Sequence, residues 1–235
     1  MLLNGNRHIL LTMKTARLAT PTRLSQTIRS LERKGVRTLQ DLISIPTVNP
    51  PGDHYESCAI YLSDHLKRLG LKTRCLRVPW DDQKKLQPDW KQYPRWNVIG
   101  RYDVGAPHTL HMNAHYDVVP VSGKWTYGPF EPKVRDGWIY GRGSADMKGA
   151  IASCLLALEA LIRCDVTPSV NIEVSFTADE ETGGHLGAGY IVKERLIDAD
   201  YAIVMEGGRR NEIGLGHNGV LWLEGHCQGK AAHGA

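Results

Sequence analysis

Apolar positions along the chain follow two different periods. Leu31, Val36, Leu39, Leu42 and Ile43 recur at helical spacing, which predicts an amphipathic helix over residues 25–43. It ends before the turn-rich Ile45-Pro46-Thr47-Val48-Asn49-Pro50-Pro51-Gly52. Cys58, Ile60, Leu62, Leu66 and Leu69 predict a second helix over 55–69, with Gly70 as its C-terminal stop. Short strand-like runs follow at 71–78, 97–102 and 109–114. The polar, Trp-containing stretch 81–95 between the first two is expected to be a surface loop. Further on, 138–140 reads as a strand, 148–163 as a helix, 170–176 as a strand, 185–196 as a helix and 201–205 as a strand. Strands alternating with helices predict an α/β layered domain, and there is no internal repeat.

Composition narrows the class. Of 235 residues, 42% are hydrophobic and 23% charged, a balance that favours a folded soluble domain over a disordered chain or a coiled coil. The best apolar run, residues 149–162, is interrupted by Ser153 and Glu159 and falls short of the roughly 18 apolar residues of a membrane-spanning helix, so no membrane partner is expected. Lys plus Arg number 29 against 25 for Asp plus Glu, without a long basic run, and nucleic acid is not an expected partner. Arg7, Lys14, Arg17, Arg23 and Arg29 all precede the first acidic residue, Glu32. Residues 1–24 are therefore set apart as an N-terminal extension: either a weak organellar presequence or, the preferred reading, a non-native stretch upstream of a true start at Met13. The five cysteines, Cys58, Cys75, Cys154, Cys164 and Cys227, are widely separated and form no CxxC pair. Neither a disulfide framework nor a thiolate zinc knuckle is predicted; Cys154 reads as a small buried hydrophobe and the cytoplasm is the expected compartment.

Candidate chemistry gathers at the ends of the predicted strands, where open α/β sheets bind their ligands. In His111-Met112-Asn113-Ala114-His115-Tyr116-Asp117, strand alternation lets His115 and Asp117 share a side, as suits an imidazole ligand with a carboxylate fixing its tautomer; a structural hydrogen bond is the alternative. In Gly141-Arg142-Gly143-Ser144-Ala145-Asp146-Met147-Lys148-Gly149, small residues permit close backbone approach, and Asp146 is either a site carboxylate or the N-cap of the next helix. The glycine spacing matches no phosphate-binding loop. Asp179-Glu180-Glu181 follows the apolar strand that ends at Phe176; three adjacent carboxylates repel one another unless a cation offsets them or water solvates them. Glu206 ends the run Tyr201 to Val204 in the same way. One histidine and several carboxylates brought by successive strand ends make the ligand set expected for zinc, cobalt or manganese in a two-metal hydrolase.

HYD, GRGSADMKG, ADEETGG and VMEGG, in this order, resemble the successive motifs of the co-catalytic metallohydrolases, the family of acetylornithine deacetylase, succinyl-diaminopimelate desuccinylase, aminoacylase and glutamate carboxypeptidase. The similarity runs from about Ser30 onward and includes LISIPTVNPPG. It implies a three-layer, zinc-exopeptidase-like α/β catalytic domain with a mostly parallel central sheet over residues 25–213, followed at 214–235 by the start of an α+β lid or dimerisation domain. It also implies roles: His115 and Glu206 as ligands of a first metal, Asp146 as the bridging carboxylate, Glu181 as a ligand of the second metal, Asp117 as the partner orienting His115, and Glu180 as general base. His233, in GKAAHGA, resembles the histidine that reaches across a homodimer to stabilise the oxyanion; outside that motif it would read as a terminal surface histidine.

The activity so implied is hydrolysis of the amide bond of an N-acyl amino acid through a metal-bridged water, with zinc the first choice of ion and cobalt or manganese open. A dipeptidase or carboxypeptidase of the same mechanism is the runner-up, and a non-catalytic metal-binding or dimerising protein the third reading. The family fold continues past the length seen here and returns a histidine to the second metal. None of His8, His54, His65, His108, His185, His217 or His226 has the context for it, and His111 reads as a core residue. The chain is therefore expected to be an N-terminal part of such an enzyme, poorly stable and nearly inactive by itself.

Overall fold

The computed structural model describes residues 21–206 and scattered positions between 214 and 229. In chain order the elements are α1 (Pro21–Ser44), α2 (Tyr55–Arg68), β1 (Lys72–Arg77), α3 (Trp80–Gln83), β2 (Trp96–Tyr102), β3 (Thr109–His115), β4 (Lys133–Arg135), β5 (Trp138–Tyr140), α4 (Lys148–Arg163), β6 (Asn171–Thr177), a 3-10 turn (Glu180–Thr182), α5 (Ala188–Lys193) and β7 (Tyr201–Val204). The five-stranded sheet has the order β1-β2-β6-β3-β7. β3 runs parallel to both β6 and β7, while β2 is antiparallel to β1 and to β6. Every strand of this sheet but β2 thus points the same way, and the expected mixed α/β architecture with a mostly parallel sheet is present.

Alternation within the central strands separates two chemistries. Met112 and Ala114 of β3 and Ile172, Val174 and Phe176 of β6 face Leu42, Ile43, Leu62, Leu66, Ile151 and Leu155 from α1, α2 and α4, which form the main core. Each fully buried Leu, Ile, Val or Phe among them contributes about 1.5–3 kcal/mol by leaving water. The opposite positions, His111 and Asn113 on β3 and Glu173 and Ser175 on β6, are polar and bond one another. His111 Nδ1 is 3.0 Å from Glu173 Oε1 and its Nε2 2.8 Å from Ser175 Oγ, and Asn113 Nδ2 donates to Ser175 Oγ at 2.8 Å. His111 is accordingly a buried structural residue, as expected.

Four local expectations change. The first helix, expected over 25–43, begins at Pro21, inside the stretch set apart as an extension. The stretch 81–95 is not simply a surface loop: it contains α3, and Gln83 and Arg95 are buried. Gln83 Nε2 donates to the carbonyls of Trp90 and Tyr93, folding the polar residues back on themselves. The helix expected over 185–196 contracts to Ala188–Lys193: Gly187 ahead of it has a non-helical backbone (φ −101°, ψ −111°) and Arg195 beyond it is left-handed (φ 51°). The strand at 138–140 gains an antiparallel partner, β4, whose exposed Lys133-Val134-Arg135 carries too short a pattern to announce itself. β7 is exposed along its length. The segment 214–235, expected to begin a lid, falls largely outside the described residues. Among the described residues no helix is long and apolar enough to cross a membrane.

Candidate metal centre

Parallel strands end on one sheet edge, and that edge assembles the site. β3 finishes at His115, paired in register with Thr177 of β6, so the turn after β6 emerges beside the imidazole. β7 lies on the other side of β3; the Met205 N–H bonds the Asn113 carbonyl at 2.8 Å, carrying Glu206 to the same place. Asp146 arrives from the loop entering α4. That helix is capped at Met147 without a side-chain bond, so the N-cap role considered for Asp146 is not realised.

His115 Nε2 lies 3.1 Å from Asp146 Oδ1, 3.4 Å from Glu206 Oε2 and 3.6 Å from Glu180 Oε2. Among the described residues, two groups have ligand atoms within 4.8 Å of one another: His115 with Asp146 and Glu206, and His115 with Glu180 and Glu181. The other ring nitrogen, Nδ1, is 3.1 Å from the Asp117 carbonyl oxygen and 3.4 Å from its carboxylate, so backbone and side chain of one residue together orient the ring. Asp117 is fully buried and also takes the N–H groups of Glu180 (3.2 Å) and Glu181 (3.1 Å) and the amide of Asn49 (2.9 Å). It therefore holds the acidic turn as well as the histidine.

This concentration of carboxylates shifts protonation. Burial by itself would lower the His115 pKa, but the hydrogen bond and charge of Asp117, with Glu180 and Glu206, reverse that and raise it to about 9. Burial and the neighbouring charge of Asp146 raise Glu181 to about 7; burial, Asp117 and Glu206 push Glu180 up as well. Carboxylates that resist ionisation beside a proton-loaded imidazole are what a divalent cation would relieve, and the oxygen-rich, single-imidazole donor set fits zinc, manganese or cobalt.

Sequence reasoning missed the support beneath these groups. Lys148 is fully buried, and its Nζ donates to the Leu42 and Ile45 carbonyls at 2.8 and 2.7 Å, tying the end of α1 to the start of α4; burial pulls its pKa down to about 8. Asp179, the first of the three acids, points inward and not toward the site, accepting from Gln87, Arg95, Thr182 and the Leu186 N–H. The only local signal for it was its place immediately ahead of Glu180-Glu181. His115, Asp117, Asp146, Glu180, Glu181 and Glu206 are thus brought together, whereas His233 lies outside the described residues.

Comparison with known proteins adds a family. The model of Peptidase family M20/M25/M40 matches residues 111–227. An uncharacterized metallohydrolase of Methanococcus maripaludis is 30% identical over 218 residues, covering 88% of this chain and 52% of the relative. The succinyl-diaminopimelate desuccinylase of a Buchnera aphidicola strain is 32% identical over 184 residues, covering 76% and 44%. Among solved structures, an M20 family metallo-carboxypeptidase from Sulfolobus solfataricus superposes with a TM-score of 0.62 at 26% identity, over 74% of this chain and 38% of that one. The chain spans about half the length of the curated relatives it matches.

Proposed function

The chain carries a domain of peptidase family M20/M25/M40, and from that premise we propose that it belongs to a metal-dependent hydrolase cleaving the amide bond of N-acyl amino acids. The observation that carries this is the convergence of three carboxylates from separate elements within 3.1–3.6 Å of one buried imidazole nitrogen. His115 and Glu206 would hold one divalent ion, Asp146 would bridge, and Glu181 would hold a second. When bound, such ions supply Lewis acidity toward the scissile carbonyl and the attacking water. Glu180 stands beside the ligands with its carboxyl half exposed and its backbone fixed by Asp117, placed to take the proton of the water and hand it to the departing amine, which cannot leave as an anion. Asp117 keeps the His115 ring turned so that Nε2 faces the carboxylates. His233, outside the described residues, would serve the oxyanion across a homodimer formed by the lid, with zinc the preferred ion and the cytoplasm the compartment.

The desuccinylase relative supports an acyl-amino-acid substrate, and the carboxypeptidase neighbour keeps peptides as the second reading. A panel of N-succinyl and N-acetyl amino acids against dipeptides, assayed on full-length protein with zinc, cobalt or manganese and with bound metal measured, separates them. Turnover of acyl amino acids that is abolished by chelation is the expected result. Retention of two metal equivalents with no hydrolysis of any substrate in the panel would instead favour the non-catalytic metal-binding reading. Glu180→Gln should keep its metal and lose nearly all kcat; a variant with unchanged kcat excludes Glu180 as the base.

A further inference from the structure

We propose that Arg95, through Asp179, is a positioning residue that sets where Glu180 stands relative to His115; the inference rests on the reading of Glu180 as the base. The Arg95 and Asp179 side chains are 0% and 2% exposed, with Nε 3.2 Å from Oδ1. Nη1 of Arg95 donates to the carbonyls of Pro51 (2.7 Å) and Tyr93 (2.8 Å), and Nη2 to Asn49 Oδ1 at 3.4 Å. The guanidinium carbon lies over the rings of Tyr55 and Trp90, 5.2 and 5.1 Å from their centroids. Gly52 closes over it: a Cβ there would sit 2.3 Å from Nη1.

These contacts form a closed circuit. Asn49 donates to Thr182 Oγ1 (3.0 Å) and to Asp117 (2.9 Å), Thr182 donates to Asp179 Oδ1 (2.9 Å), and Arg95 joins Asp179 back to Asn49. Both ends of the turn that bears Glu180 and Glu181 are therefore held by the same guanidinium, one directly and one through Asn49. Asp179 has a φ of 70°, a left-handed conformation that few residues with a Cβ adopt and that persists only when its surroundings over-determine it. Four donors to its carboxylate do so: Gln87, Arg95, Thr182 and the Leu186 N–H.

A wholly buried ion pair is seldom more stabilising than an apolar pair of the same size. What it adds here is direction. The guanidinium fork fixes its acceptors in a plane, and a flexible ammonium does not. The strap 80–95 and the turn after Thr177 are thereby registered to one another, and the Glu180 carboxyl is held 3.6 Å from Nε2 of His115 by a backbone gripped from two sides.

The test uses full-length, metal-loaded protein and compares Arg95→Met, Arg95→Lys, and Arg95→Met combined with Asp179→Asn. Arg95→Met leaves the Asp179 charge buried without its partner, so both thermal stability and kcat fall. Adding Asp179→Asn removes that charge in a residue that tolerates the left-handed conformation, so melting temperature recovers. A positioning role predicts that kcat stays down by about 10²-fold in this double variant, with KM and metal content near wild type. It also predicts that Arg95→Lys restores stability better than kcat. Recovery of kcat in step with the melting temperature would overturn the proposal by showing a structural role alone. Should the Arg95 variants not fold, Gln87→Ala, which removes one donor at 2.8 Å from Asp179, is expected to lower kcat several-fold without changing KM, and wild-type kcat there counts against the proposal. Glu180→Gln is run in parallel: unchanged kcat in that variant overturns the base assignment and with it this inference, whereas a fully active double variant overturns the positioning role alone.

Discussion

Binding of a divalent cation at this site should expel protons, and the structure sets how many. Without a cation, Asp117, Glu180 and Glu206 hold a proton on His115 up to about pH 9, and burial together with the charge of Asp146 holds one on Glu181 up to about pH 7. An imidazole ligates only when neutral and a carboxylate only when ionised, so each proton competes with the metal. For His115 alone the competition weakens binding by about 10³ at pH 6 and about 10 at pH 8, a gain of about 10² in apparent affinity over that interval. Glu181 is only half-buried, and solvent screening limits its share, which adds at most a further factor of about 10. The slope of log affinity against pH should therefore exceed one below pH 7, come to about one near pH 8 and fall to about one half at pH 9. Calorimetric titration of the metal-free protein with zinc, in buffers of different ionisation enthalpy, reads both the affinity and the protons released. Equal affinity at pH 6 and pH 8, with no proton release, would refute the argument that these carboxylates and this imidazole share one electrostatic site.

Asp117→Asn keeps the size of a fully buried residue but removes the charge that orients His115 and receives the Glu180 and Glu181 N–H groups; metal affinity should drop about 10–100-fold with the fold retained, as read by metal titration and circular dichroism. Leu155→Ala empties a buried position where α4 meets the sheet and should cost about 2–5 kcal/mol in denaturant unfolding. Glu159, nearly buried, accepts from Lys34 at 2.7 Å and from Arg163, and although burial opposes it these partners hold its pKa below the ordinary value. A lowered carboxylate pKa stabilises the fold above the unfolded value and loses that contribution as pH falls through the folded one. Glu159→Gln should therefore cost about 1 kcal/mol at pH 7, discounted for its half-exposed partners, and progressively less as pH falls through the folded-state pKa, in parallel unfolding curves.

Local pattern made the skeleton legible. α4 is found at the bounds that its apolar period predicts, Lys148–Arg163, and β5 at Trp138–Tyr140, while α2 and β6 shift by a residue. These elements follow from neighbours within one or two turns or along one strand. His115, Glu180, Glu181 and Glu206 were visible for another reason: each stands at or just past the end of a strand with a side chain that is expensive to leave unpaired, and parallel strands bring such ends to one edge, while Asp146 stood out in the small-residue loop that enters α4.

The supports were not legible, because nothing local distinguishes them. Residues 81–95 are polar, as a surface loop would be, yet Gln83, Gln87 and Arg95 find their partners inside, Arg95 with an aspartate 84 positions away. Lys148 looks like an ordinary first-turn lysine until the end of α1 surrounds its ammonium with carbonyls. The amino-acid order by itself determined the helices, the strands and the identity of the acids and the imidazole at their ends, since periodicity and side-chain chemistry are local properties. Only the tertiary structure decided which carboxylates meet His115, which acid of the Asp179-Glu180-Glu181 run turns inward, and what holds the turn in place. Those are matters of long-range contact, where burying a charge is tolerated only if a distant residue arrives to satisfy it.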